Sequence, residues 1–181
     1  MSIETIIALL GALGVGGLLG SVLTRWYEQQ KQTNEHDIRI FNQSNEILSE
    51  QELSGIANFE LGGNKIRDDD YSKLAKWYSF FEQTGNRYLD GKISKENKKL
   101  VDALSQLTDF IGLNFFTIIG QNPNNGFQYL KPDWNPDYGN DPSPEKMAKY
   151  REYSKELYVL TEQVLKQYSE YRLAVKRVLK I

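Results

Sequence analysis

PEKMAKYREYSKELYVLTEQVLKQYSEYRLAVKRVLKI, residues 144–181, carries one unbroken seam: Met147, Tyr150, Ser154, Leu157, Thr161, Val164, Tyr168, Tyr171, Val175 and Val178. The steps alternate three and four residues throughout, so all ten positions fall on one face of a helix, as in coiled coils and bundles. Ser143 is placed to cap that helix and Pro144 to occupy its first turn. Ser154 and Thr161 weaken a pure coiled-coil seam, which favours packing within one chain. A long helix with such a face needs other helices against it, and the segments upstream supply them.

Residues 95–120 predict a helix capped by Ser94, amphipathic through Leu100, Leu104, Leu107 and Ile111 and then apolar nearly all round to Ile119. The apolar part is too short to span a bilayer and is expected at the centre of the core. Another helix is expected from Asp68-Asp69-Asp70, acids that suit a helix N-terminus, to a stop at Gly91. Its apolar face is Tyr71, Leu74, Tyr78, Phe81 and Tyr88, with Trp77 beside it. Residues Arg25 to Ser54, free of Pro and Gly, predict a helical stalk with a weak stripe of Ile38, Phe41 and Leu48. Gly55 and Gly62-Gly63-Asn64 interrupt it. Strand signals are almost absent, the best being Phe127–Leu130.

Charge is confined to the later part of the chain. Only Glu4 precedes Arg25, and Thr5 to Thr24, TIIALLGALGVGGLLGSVLT, is uncharged throughout. As a helix that run extends about 30 Å, the thickness of a bilayer's hydrocarbon core. It lacks the basic start and cleavage signal of a secretory peptide. Arg25, Lys31 and Arg39 follow it, which places the C-terminal part in the cytoplasm by the positive-inside bias, with Trp26 and Tyr27 at the headgroup boundary. Ala8, Ala12, Gly16 and Gly20 recur every fourth residue and form a small-residue stripe suited to close helix contact in lipid. The glycines of residues 14–20 fail the spacing of a nucleotide-binding loop and follow no strand. The expected fold is therefore all-α. A single transmembrane helix (1–25) continues through a membrane-proximal stalk (26–64) into a cytoplasmic helical bundle (65–181) with a long loop at 121–143.

That loop, QNPNNGFQYLKPDWNPDYGNDPS, holds four of the five prolines and the aromatics Phe127, Tyr129, Trp134 and Tyr138. Long connections of this kind are often functional, and rings on a proline-stiffened loop suit a partner- or ligand-binding surface. The alternative is a cap on the bundle, with Asp and Asn making turns. Asp133, Asn135 and Asp137 begin like a calcium loop, but Tyr138 stands where glycine is needed and Pro144 where the closing glutamate belongs. No metal is expected.

Two basic clusters offer an anionic-ligand site. One is Lys92, Lys95, Lys98 and Lys99; the other is Lys166, Arg172, Lys176 and Arg177, with Lys180 beyond. A solvated helix surface is the preferred explanation, since the dipole favours cations near a helix C-terminus and nothing aromatic or glycine-rich makes either cluster a specific site.

Composition sets the outer limits. The chain has 181 residues, 24 acids against 22 Lys and Arg, one His and no Cys. A net charge of −2 argues against DNA or RNA binding. Without cysteine there is no disulfide scaffold, thiolate metal site or thiol nucleophile, and one histidine makes a serine–histidine triad improbable. His36 sits on the stalk with no second ligand at helical spacing. No constellation with a catalytic mechanism is legible, and no cofactor is implied. The layout resembles small bacterial membrane proteins, some of which are accessory effectors in anti-phage or stress responses. That resemblance is architectural and assigns no residue a role. The expected function is a non-enzymatic, self-associating membrane protein whose bundle senses or binds a partner, with the lipid bilayer and a second copy or another membrane protein as partners. The alternative is a membrane-anchored receptor for a small anion such as a nucleotide.

Overall fold

A computed structural model describes residues 2–6, 18–118, 126–135 and 142–181. Among these the chain is mostly helical, with one small sheet. After a helical turn at residues 3–6, five α-helices follow in order among the described residues: α1 (Leu18–Ile47), α2 (Glu50–Gly55), α3 (Asp68–Glu82), α4 (Gly91–Asn114) and α5 (Pro144–Leu179). A π-helical turn (Ile56–Glu60) and a 3-10 turn (Leu61–Gly63) continue from α2, and further 3-10 turns cover Thr84–Asn86 and Pro132–Trp134.

The centre of the fold is an antiparallel pair, α4 against α5. Lys99 meets Glu170 near one end and Phe110 meets Tyr153 near the other. All ten seam positions of α5 are buried or half-buried. Facing them are Ile93, Leu100, Leu104, Leu107 and Ile111 of α4, none more than 1% exposed. Fully burying side chains of this size is worth about 1.5–3 kcal/mol each, so this pair is the main apolar store of the fold. Helix α5 begins as its sequence requires: Ser143 accepts a hydrogen bond from the Lys146 amide, with Pro144 in the first turn.

Helices α3 and α1 lie against that pair through an aromatic cluster. Trp77 and Phe81 of α3, Phe41 of α1, Tyr88, and Tyr168 and Tyr171 of α5 have ring centroids 5.7–6.4 Å apart, mostly tilted or edge-on. These are the geometries that ring quadrupoles prefer. The Tyr88 and Tyr171 hydroxyls hydrogen-bond to each other. Burial pushes Tyr171 up to about 12 and raises Tyr88 as well.

Several boundaries differ from the sequence reading. The stalk helix does not run to Ser54; it stops at Ile47, because Ser49 and Glu52 form a reciprocal capping box that starts α2 afresh. Gly91 opens α4 instead of closing α3, since Asp90 accepts from the Lys92 and Ile93 amides as its N-cap, in place of Ser94. Helix α4 ends at Asn114, short of residue 120. Leu113 is 73% exposed and Phe116 47%, so the apolar stretch from Ile111 is the edge of the core and its centre lies upstream.

An antiparallel sheet of order β1-β3-β2 accounts for the remainder: β1 (Lys65–Arg67), β2 (Phe115–Phe116) and β3 (Phe127–Leu130). Tyr129 of β3 pairs with both Lys65 and Phe116. The described part of the 121–143 loop is thus a strand and a 3-10 turn, not structureless chain. Asn64 enters β1 with φ 52°, a left-handed conformation that asparagine tolerates. Its backbone carbonyl accepts from Leu130 and its side-chain oxygen from Ser154, which ties the sheet to α5.

Among the described residues no helix is long and apolar enough to cross a membrane. Most of the Thr5–Thr24 run, including Ala8, Ala12 and Gly16, lies outside the described residues. Gly20 lies on α1, where a Cβ would meet no atom within 4 Å.

Candidate functional site

Two features of the described chain have no purely packing explanation: the way α1 is fastened, and a cationic cleft beside that fastening.

Helix α1 is bare over its first turns. From Ser21 to Gln32 every side chain except half-buried Tyr27 is exposed, and the helix enters the bundle at Thr33. Its buried stripe is Asp37, Ile40 and Ser44, continued by Leu48 just beyond its end, all at 2% exposure or less. Ile38 and Phe41, expected to form that stripe, flank it half-buried. A fully buried carboxylate is costly unless it is hydrogen-bonded. Asp37 meets the condition by accepting from two backbone amides, Leu89 and Asp90, each at 2.9 Å. Next to it, His36 Nε2 lies 3.1 Å from the Arg87 carbonyl oxygen and Arg39 lies 3.2 Å from His36 Nδ1. Histidine 36 is therefore part of the clamp. Leu89 itself, 61% exposed, lies alongside Trp26, Gln29 and Thr33.

The cleft lies where α4 begins and α5 ends. It encloses about 490 Å³ and is lined by Lys92, Lys95, Glu96 and Lys99 of α4 and by Glu170, Leu173, Ala174, Arg177 and Val178 of α5. Residues about 80 apart in sequence are joined here because the two helices run antiparallel. Lys99 is held between Glu96 (2.7 Å) and Glu170 (3.9 Å), and its own pKa is raised mainly by the hydrogen bond to Glu96. Among the described residues Lys92, Lys95 and Arg177 form no ion pair. The first turn of α4 carries no acid. Cations in the opening turns of a helix oppose its dipole, so helix stability does not explain Lys92 and Lys95, although it explains Lys176 and Arg177 at the end of α5.

The other expected site residues fall elsewhere. Arg172 is a structural clamp: its guanidinium pairs with Glu50 at 3.2 Å and covers the rings of Phe41 and Tyr168 at 4.9 and 5.9 Å. Lys166 and Lys176 are exposed outside the cleft, and Lys98 pairs with Asp102 at 3.7 Å. In the 121–143 loop, Tyr129 is buried, Phe127 lies under the Lys65 ammonium at 5.3 Å, and Trp134 stacks beside Tyr153 at 6.0 Å. The Lys131 ammonium sits over Phe116, Trp134 and Tyr153 at 5.1–5.8 Å. Of the rings expected to anchor a partner, Phe127 and Trp134 thus each have a cation of the same chain over them and Tyr129 is buried; Tyr138 lies outside the described residues. Asp133 is exposed and Asn135 buried, and Asp137 lies outside the described residues.

Among the described residues the buried acids are all engaged. Glu60 accepts from the Arg67 backbone and from its guanidinium at 2.6 Å, and Asp70 binds the same guanidinium at 2.7 Å. Lys73 bridges Asp70 (3.7 Å) and Glu52 (2.8 Å). Hydrogen bonds from Lys73 and Ser49 hold the Glu52 carboxyl at about 2, well below the usual range. This network joins α2, β1 and α3, and each carboxylate in it has a cation or amide partner.

No family model matches the chain, and no curated protein or solved structure matches it either.

Proposed function

We propose that the protein is a non-enzymatic, single-pass membrane protein that self-associates through its N-terminal segment, its bundle acting as a cytoplasmic interaction or sensing module. The observation that carries this reading is the continuity of α1. One helix runs from the apolar segment into the core, and its distal half is fastened there by Ile40, Leu48 and the buried Asp37. A helix held this firmly at one end transmits rotation or tilt to the other, so a change in the bundle would reorient the spans, the behaviour of a membrane effector. The uncharged run Thr5–Thr24 has the length of a span, and its small-residue stripe supplies the contact face.

The cationic cleft favours a second reading, a membrane-anchored receptor for a small anion. None of its lining residues is aromatic, so it offers a base no stacking surface, and its chemistry suits phosphate more than a nucleotide.

Oligomeric mass tests the first reading. The detergent-extracted full chain should be a defined oligomer, and Gly16→Leu with Gly20→Leu should reduce it to monomer while the helical circular dichroism persists. Unchanged mass in the variant would remove the span from the assembly.

A further inference from the structure

The cleft, the clamp and the exposed start of α1 lie at one end of the bundle. Asp37 and His36 hold Arg87, Leu89 and Asp90 against α1, and α4 starts one residue later. Because α5 runs antiparallel to α4, its last turns lie at the same end, where α1 leaves the bundle. From Trp26, just beyond the apolar run, to Thr33, where α1 enters the bundle, the helix rises only about 10 Å. That is close to a Debye length at physiological salt, so charges at this end feel a lipid surface at the start of the stalk.

The charges there are mostly positive. Lys92, Lys95 and Arg177 line the cleft without a carboxylate partner among the described residues, and exposed Arg87, Lys176 and Lys180 lie in the adjoining segments, before α4 and at the end of α5. The acids facing them are committed: Asp90 caps α4, while Glu96 and Glu170 hold Lys99. Exposed apolar side chains sit among the cations, Leu89 at 61%, Leu173 at 47% and Ile181 at 51%. Basic groups interspersed with exposed leucines are the composition of a surface that lies on anionic lipid.

We propose that this end of the bundle docks on anionic phospholipid headgroups, with a lipid phosphate seated between Lys92, Lys95 and Arg177. The inference rests on the membrane anchor proposed above, which holds the cleft at high effective concentration over the leaflet. Docking would fix the tilt of the bundle relative to the span and make that tilt responsive to headgroup charge.

Amine-reactive labelling of the full chain, reconstituted in phosphatidylcholine vesicles with or without phosphatidylglycerol, reads the contact by mass spectrometry. Phosphatidylglycerol should slow modification of Lys92 and Lys95 by about fivefold or more, the factor expected for roughly one charge's worth of surface attraction. Lys155, exposed in the N-terminal half of α5, should react equally in both. Arg177→Glu, a change at an exposed position, should restore labelling of Lys92 in the anionic vesicles. Equal rates in the two vesicle types would overturn the proposal. So would equal protection by inorganic phosphate in pure phosphatidylcholine, which would make the ligand a soluble anion. A carbonate wash separates this from the anchor: a chain released from the vesicles refutes the anchor, and a retained chain with unprotected lysines refutes the lipid site alone.

Discussion

Replacing Asp37 by alanine should loosen the protein at one defined point. The carboxylate is fully buried and accepts two hydrogen bonds of 2.9 Å from the Leu89 and Asp90 amides. Hydrogen bonds to a charged group contribute about 1.5–3 kcal/mol each, and an amide left without a partner loses its solvation as well. Two such bonds would sum to about 3–6 kcal/mol; the exposure of Leu89 lets water replace part of this, so about 3 kcal/mol is the working figure. For a chain of this size 1 kcal/mol moves Tm by about 2–4 °C, giving a fall of about 6–12 °C. Asp37→Asn keeps one acceptor but turns its amino group towards an N–H, and should lose about two thirds as much. Glu35→Ala removes only a 4.0 Å pair with Lys31 in which both side chains are about two-thirds exposed, and should change Tm by less than about 2 °C. Thermal unfolding of the full chain in detergent, with hydrogen exchange at Leu89 and Asp90, measures all three. A loss below about 3 °C for Asp37→Ala, or an equal loss for Glu35→Ala, would refute the clamp.

Two pH effects follow from the same structure. Glu52 has a folded pKa of about 2, below its unfolded value, so its contribution is present above about pH 4.5 and is lost as pH falls towards 2. Glu52→Gln should be less stable than the parent at neutral pH, by a screened and therefore small amount, and the difference should vanish near pH 2 in acid-unfolding curves. Tyr88, Tyr168 and Tyr171 have raised folded pKa values, the last two about 12, so their neutral forms favour folding below pH 10 and that contribution is lost as pH rises from 10 towards 12. Ultraviolet titration should show these three ionising only with alkaline unfolding; normal titration near pH 10 with the helices intact would contradict their burial.

The α5 seam was legible because ten positions repeated at alternating steps of three and four, polar only at Ser154 and Thr161, and Ser143-Pro144 marked its start. The beginning of α3 was equally plain from Asp68–Asp70. Helix α1 misled for a physical reason: its buried stripe contains two polar residues, Asp37, whose amide partners lie more than fifty residues away, and Ser44, which donates to the Phe41 carbonyl, so periodicity in hydrophobicity could not find it. Asp90 was hidden by Gly91, which reads as a stop but here follows a capping aspartate. Strands of two and three residues carry no period at all, and only Phe127–Leu130 gave a strand signal. The cleft divides between two basic clusters far apart in sequence; each was visible, but only the antiparallel pairing of α4 and α5 brings Lys92 and Lys95 to Arg177 and leaves Arg172 aside.

The chain order of the aromatic cluster has a consequence for biogenesis. Phe41 on α1 meets Tyr171, and the Ile40 and Leu48 side chains beside it belong to the same core cluster as Tyr168, Tyr171 and Val175. During synthesis the first helix is complete when well over a hundred residues remain to be made, and its apolar stripe is only partly covered, by α3 and the Arg87–Asp90 segment, until α5 emerges. The nascent protein therefore passes through a stage with a leucine- and isoleucine-bearing surface exposed, the kind of face that chaperones recognise and aggregates share. Ribosomes stalled or terminated before residue 168 should release chains that fail to close, and quality control would meet them first at α1.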